Sequence, residues 1–223
     1  MYRKEWFIFD GDRPLRAVIR NYSTADYEGL LRIQQESFPP PYPQELLWSR
    51  EQIASQTEHF ADGALCVEIE GELAGSVTSL LMHYNPEHPQ HTWDEVADDG
   101  YIRTHCEDGK ALYVIDLAVR PAYRRLGLGK WLIFSLYHLV IERRLDRLLG
   151  AGRMPGYQHH ADQLSAEAYV DAVVSGELKD PVLTFLLRCG RVPVCILPNY
   201  LDDEQSRNYA VLMEWRNPFH THH

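Results

Sequence analysis

The sequence predicts an α/β (α+β) domain, a mixed central sheet of about seven strands flanked by helices. Three observations carry this. ALYVIDLAV (111–119) is a nearly continuous apolar run, the signature of a strand covered on both faces. It leads into a glycine pair, an amphipathic helix and a second short strand, DRLLGAG (146–152), a succession that implies a crossover between parallel-like neighbours. Around this unit lie further β-rich runs, two of them joined by the tight turn of an antiparallel hairpin.

Residues 1–14 read as an N-terminal extension, and LRAVIRNY (15–22) alternates as a strand. Ser23 or Thr24 caps a helix that carries Leu30, Leu31 and Ile33 on one side. PPPYP (39–43) stops it, because proline lacks the amide hydrogen and fixes φ. QELLWSREQIASQTEHF (44–60) reads as a second helix. ALCVEIEGELAGSVTSLLMHY (64–84) is a hairpin turning at Glu70, Gly71 and Glu72.

Residues 85–110 form a long polar excursion of the kind that is functional or mobile, with His83, His88, His91 and His105 in or beside it as solvated side chains. After the crossover unit, a second insertion near 153–180 includes a helix capped at Ser165 and stopped by Gly176. PVLTFLLRCG (181–190) is a short helix, RVPVCIL and RNYAVLMEWR are closing strands, and 217–223 is a tail whose final histidines are native or remnants of a tag. One domain therefore spans 15–216.

The net charge of −10 disfavours nucleic acid, since phosphate binding needs a basic surface. No apolar run reaches the roughly 18 residues of a membrane span. The opening MYRKEWFIFDGDRP is too short in its apolar part, and too acidic at its end, for a secretory signal. A cytoplasmic protein with no membrane partner is expected. Cys66, Cys106, Cys189 and Cys195 form no CxxC pair and read as free thiols, and no metal site is expected.

YRRLGLGKWL (123–132) carries the chemistry. The first amides of a helix lack internal partners, and the helix dipole adds positive charge there, which together make an anion site. Glycines at 127 and 129 remove Cβ atoms that would hold a phosphate away, and Arg124, Arg125 and Lys130 add charge at the rim. Trp131 breaks the Walker pattern, and Leu132 stands where a dinucleotide fingerprint needs its third glycine.

DLAVRPAYRRLGLGKWL (116–132) resembles the acetyl-CoA motif of the GNAT superfamily of N-acetyltransferases, and the order of elements over 15–216 fits that fold. The resemblance implies a sheet splayed between its fourth and fifth strands, 111–119 and 146–152. It implies that the backbone of Leu117, Ala118 and Val119 holds the pantetheine like an added strand, with the Val119 amide or its neighbour as oxyanion donor. The amides of Arg124, Arg125, Leu126, Gly127, Leu128, Gly129 and Lys130 would hold the pyrophosphate. GRMPGY, DPVLTF and LPNYLDDEQSRNYAVLMEW further resemble the acetyltransferase domain fused ahead of nitrilase-like carbon–nitrogen hydrolases. No stretch is left here for the hydrolase, so a stand-alone relative is expected.

The implied activity is direct transfer of acetyl from acetyl-CoA to a primary amine of a small-molecule or peptide acceptor. The other reading is a coenzyme A-binding regulatory or interaction domain without catalysis. Asp116 is the first candidate for proton acceptor; it is otherwise a structural aspartate or a partner of Arg153. Arg153 contacts a substrate carboxylate or locks its loop on an acid. The tyrosine with which family members protonate the leaving thiolate is Leu186 here, and Arg191 replaces the usual Phe, so Tyr157, Tyr200 and Tyr209 are the substitutes. Acidic residues in 94–108 favour a cationic amine, and a homodimer through the closing strands is compatible with the pattern.

Overall fold

The computed structural model describes residues 2–39 and 47–220. Its sheet begins with β1 (Arg3–Asp10), which pairs antiparallel with β2 (Arg13–Asn21) along its whole length, from Arg3↔Arg20 to Asp10↔Arg13. The expected extension is thus mostly an edge strand. Asp10-Gly11-Asp12 turns the chain, with Gly11 at φ +60°, and Trp6 and Tyr2 fix the strand against the helix that follows the glycine pair.

Helix α1 (Tyr27–Ser37) follows a short 3-10 turn over Thr24–Asp26. Helix α2 (Arg50–Phe60) starts later than its apolar pattern suggests, because the Ser49 hydroxyl accepts the Gln52 amide at 3.2 Å and so sets the N-terminus. The proline turn, apart from Pro39, and the first residues of the expected second helix lie outside the described residues. Strands β3 (Ala64–Ile69) and β4 (Glu72–Met82) form the expected hairpin. Glu70 and Gly71 both have positive φ, +52° and +86°, as a two-residue I′ turn requires.

The excursion at 85–110 contains one short helix, α3 (Trp93–Ala97), capped by Thr92. Then come β5 (Ala111–Val119), a 3-10 turn (Pro121–Leu126), α4 (Leu128–Glu142) and β6 (Arg147–Arg153). The chain closes with α5 (Ala166–Ser175), α6 (Leu183–Arg188), β7 (Val192–Leu197) and β8 (Ala210–Arg216). The strand order is β1-β2-β3-β4-β5-β6-β8-β7, and among the described residues only the β5–β6 pairing is parallel. Ala74 to Leu81 of β4 are buried without alternation, so both faces of the central strands are covered. A second apolar cluster, including Tyr157, Tyr169, Leu183, Leu186 and Met213, seats the 153–180 insertion on β8.

Candidate active site at a fork in the sheet

The site begins where two strands stop pairing. β5 and β6 are in register only at Ala111↔Arg147, Leu112↔Leu148 and Tyr113↔Leu149. Beyond that, β5 stays with β4 as far as Val119↔Gly75, while β6 stays with β8 as far as Arg153↔Ala210. The facing edges of 114–119 and 150–153 therefore lack ladder partners, and an extended chain can add to them.

Two sequence features shape the base of this fork. The register of β4 against β5 shifts between Thr78↔Asp116 and Ser79↔Val114, which leaves Ile115 as a bulge that increases local twist. Gly150 then sits so near β5 that a Cβ there would stand 3.0 Å from the Val114 carbonyl oxygen. The indole of Trp93 donates to the Ile115 carbonyl at 3.1 Å and ties the 85–110 excursion to the bulge.

Beyond the fork, β5 runs into the glycine stretch. Gly127 has φ +73°, and its missing Cβ would face open space, so it supplies the left-handed step that starts α4. Gly129 serves another purpose than expected. A Cβ at 129 would meet the Phe185 ring at 3.1 Å and Leu117 at 3.8 Å, so this glycine lets α4 close on α6 and does not clear a path for phosphate. Lys130 is also corrected in part: its amide donates to the Gly127 carbonyl at 3.1 Å, which leaves the ammonium rather than the amide for an anion. Arg124, Arg125 and Gly127 are exposed, Leu126 is half-buried, and Leu128 is enclosed in the core. The Arg124 side chain donates to the Val119 carbonyl at 3.1 Å, joining the loop to the end of the strand.

Asp116 lies opposite Thr78 of β4, on the part of β5 that β6 does not pair. The residue is half-buried, and its Oδ2 is fully buried with no hydrogen-bond partner. Burial raises its carboxyl to about 7, against a smaller opposing effect of the Leu117 amide. Arg153 is not its partner. Arg153 grips both carboxylate oxygens of Asp203 at 2.7 Å, which resolves its role as the lock of the β7–β8 loop. Burial raises the Asp203 carboxyl, but the bonds from Arg153 and Ser206 outweigh it and hold the group below its usual range.

The three tyrosine candidates separate. The Tyr157 hydroxyl donates to the Leu164 carbonyl at 3.0 Å, and its ring is enclosed by Tyr169 and Tyr209. Its proton is committed within the insertion. Tyr209 is the other wall of that aromatic group. Tyr200 alone reaches the fork: its hydroxyl lies 3.1 Å from that of Tyr113, the last β5 residue in register with β6.

Sequence reasoning missed the roles of His91, Arg191 and Tyr113 at the fork and of His105 beside the excursion. His91 is half-buried rather than solvated, with Nδ1 2.7 Å from the Pro89 carbonyl and Nε2 2.7 Å from the Tyr113 hydroxyl. His105 is also enclosed, stacked on Phe60, and accepts the Leu81 amide at Nδ1. Arg191 is 3% exposed and donates through Nη2 to the Gly150 and Met213 carbonyls, and burial lowers its guanidinium to about 10. Among the described residues no carboxylate pairs with it. Tyr113 did carry a signal, as a hydroxyl in an otherwise apolar strand. Outside this region His83, Cys106 and Asp108 place donor atoms within 4.8 Å of one another at the surface, where Asp108 hydrogen-bonds both neighbours.

A sheet forked between parallel strands, with a glycine turn and a helix N-terminus at the end of one arm, defines a coenzyme A-dependent acyltransferase. Residues 27–164 match the acetyltransferase (GNAT) family, and the chain belongs to it. It is a GNAT-fold acyltransferase that uses acetyl-CoA.

An uncharacterised N-acetyltransferase of Bacillus subtilis (strain 168), YkwB, is 49% identical over 97% of this chain and 96% of its own length. The probable hydrolase YhcX of the same organism is 39% identical over 91% of this chain, which spans only 39% of that protein. Among solved structures, the GNAT-like decarboxylase GphF in complex with isobutyryl-CoA is 22% identical, with a TM-score of 0.73 over 89% of this chain and 98% of its own. Among the described residues no helix is long and apolar enough to cross a membrane.

Proposed function

We propose that the chain moves an acetyl group from acetyl-CoA directly to a primary amine, of a small molecule or a peptide, within a ternary complex. The fork carries this reading. Its free strand edges lead straight into the Gly127 turn, so one continuous track offers backbone partners to pantetheine and then positive charge to pyrophosphate. On this reading Leu117, Ala118 and Val119 line the pantetheine. Arg124, Arg125, Leu126, Gly127 and the ammonium of Lys130 surround the pyrophosphate, with Leu128 and Gly129 as the buried footing of that helix start.

An alkyl amine is charged at neutral pH, and freeing its lone pair costs about 4 kcal/mol. Asp116 is the acceptor for that proton: it stands on the open strand, and its unpartnered oxygen has a protonation midpoint of about 7. Direct transfer suits the thiols, since Cys66 and Cys189 are buried and burial raises both above their usual range. The acidic residues of the excursion favour a cationic acceptor. Likeness to YhcX over most of this chain but a minority of that protein supports the expected kinship with acetyltransferase domains joined to hydrolases.

Calorimetric titration with acetyl-CoA, followed by thiol release across a panel of amines, tests the reading. Micromolar binding and amine-dependent thiol release are expected. A folded sample that binds no acetyl-CoA overturns it. Loss of carbon dioxide from a carboxyacyl-CoA without any amine would redirect it toward the decarboxylation named for GphF.

A further inference from the structure

We propose that His83, Cys106 and Asp108 hold a zinc ion that clips together the two ends of the 85–110 excursion. The ion takes no part in acetyl transfer, and the inference stands whatever the acceptor.

The donors come from the two sides of the neck. His83 follows directly on β4, and Cys106 and Asp108 lie shortly before β5. One donor atom of each side chain lies within 4.8 Å of the other two. The Asp108 Oδ1 is the common corner, 3.2 Å from Nε2 of His83 and 3.0 Å from Sγ of Cys106. A tetrahedral zinc ion with ordinary bond lengths spaces such ligands about 3.3–3.6 Å apart, so the cluster has to open by roughly half an ångström or less.

The backbone beneath these side chains is already fixed. The Cys106 amide donates to the Leu81 carbonyl at 2.9 Å, and the Gly109 amide donates to the Cys106 carbonyl at 2.9 Å. Gly109 lies so close to β4 that a Cβ there would stand 2.6 Å from the Met82 nitrogen. The turn 106–109 is thus pinned beside the end of β4 with two of the three ligands on it. The adjacent histidine is spent elsewhere: His105 takes the Leu81 amide on Nδ1 and faces Glu107 with Nε2 at 3.3 Å.

Charge and ligand chemistry select the ion. An ionised carboxylate only accepts, so both neighbours point a hydrogen at the same oxygen. One cation replaces the two hydrogens. The thiol proton leaves to solvent, the imidazole hydrogen moves to Nδ1, and nitrogen, sulfur and oxygen each give zinc an electron pair. Thiolate and carboxylate bring two negative charges and the imidazole none, which matches a divalent ion. Among the described residues no lysine or arginine ion-pairs with Asp108, whose partner is His83. Mixed sulfur, nitrogen and oxygen donors suit zinc, whereas magnesium and calcium take oxygen. His83 and Asp108 are exposed, so the fourth position falls to water. The sequence concealed the set because His83 and Asp108 stand 25 positions apart. Between them lies Trp93, whose indole holds the bulge of β5, so the clip steadies the loop beside the fork.

The test titrates cobalt, a spectroscopic stand-in for zinc, into the full chain after a chelator has stripped it and its thiols have been reduced. One equivalent should bind with about micromolar affinity, giving the visible bands of a tetrahedral ion and a near-ultraviolet thiolate-to-cobalt band. Zinc should erase both. Cys106→Ser should lose the near-ultraviolet band, and it and Asp108→Asn should bind at least about tenfold more weakly, since even groups behind a ligand are worth that much. Excess zinc should raise the wild-type melting temperature by about 2–5 °C and leave that of Cys106→Ser unmoved. A chain that binds no cobalt overturns the proposal, as does a band that survives in Cys106→Ser. The terminal histidines can take up cobalt but supply no thiolate, so uptake without the near-ultraviolet band also overturns it. His83→Ala changes an exposed side chain and keeps the test decisive if another variant misfolds: it too should weaken binding at least about tenfold, and unchanged affinity overturns the site.

Discussion

At Asp116 a carboxylate oxygen is buried with nothing to bond, and this single residue sets a pH response for the whole chain. Its folded midpoint of about 7 stands above an ordinary 3.8, so its contribution to stability is full below about pH 4 and is lost as pH rises through 7. The loss is on the order of 4 kcal/mol at most. Urea unfolding should therefore show Asp116→Asn matching wild type near pH 4 and exceeding it at pH 8, while thiol release by the variant falls steeply. Arg153 behaves oppositely. Arg153→Met leaves the Asp203 carboxylate, 7% exposed, without its cation, and should lower stability by about 3 kcal/mol at pH 7. Hydrogen exchange in residues 198–209 should accelerate with it. The sequence exposed Asp116 because a charge interrupts an apolar strand. It left the partner of Arg153 open, since Asp203 lies fifty positions away and only the β7–β8 loop brings it near.

The start of α4 was the most legible element, because a strand, a turn and an exposed cationic helix start are local matters of backbone chemistry. The division of labour between its glycines was not legible, since Phe185 comes from a different helix. That division has a measurable form. Gly127→Ala should lose about 1 kcal/mol from its left-handed backbone, and Gly127→Glu should also repel the coenzyme. Gly129→Val should instead lose about 1–3 kcal/mol through collision with Phe185, and adding Phe185→Ala should restore part of it. Equal effects at 127 and 129 on coenzyme affinity, with no recovery in the double variant, would contradict this assignment.

Across the whole molecule, the central crossover and the closing strands follow the sequence pattern, while the first strand does not. β1 was obscured because WFIF is not alternating, although Asp10-Gly11-Asp12 is a hairpin signal between two β-rich runs. The strand covers the edge of β2 and lays Trp6 on Trp131 of α4, ring centroids 5.1 Å apart. Removing residues 2–12 should bare both the edge and that indole, so light scattering should report aggregation and the melting temperature should fall. A monodisperse, equally stable truncation would show β1 to be dispensable.

The Trp93 indole, bonded to the bulge carbonyl of Ile115, gives the native chain its own optical probe of the fork. Indole emission responds to the field along its N–H, and Trp48 lies 6.4 Å away as a near neighbour for energy transfer. Filling the free strand edges changes the electrostatics around that carbonyl, so a ligand should announce itself as a shift in intrinsic fluorescence without any added label. Trp93→Phe should silence that shift while Trp6, Trp131 and Trp215 continue to emit.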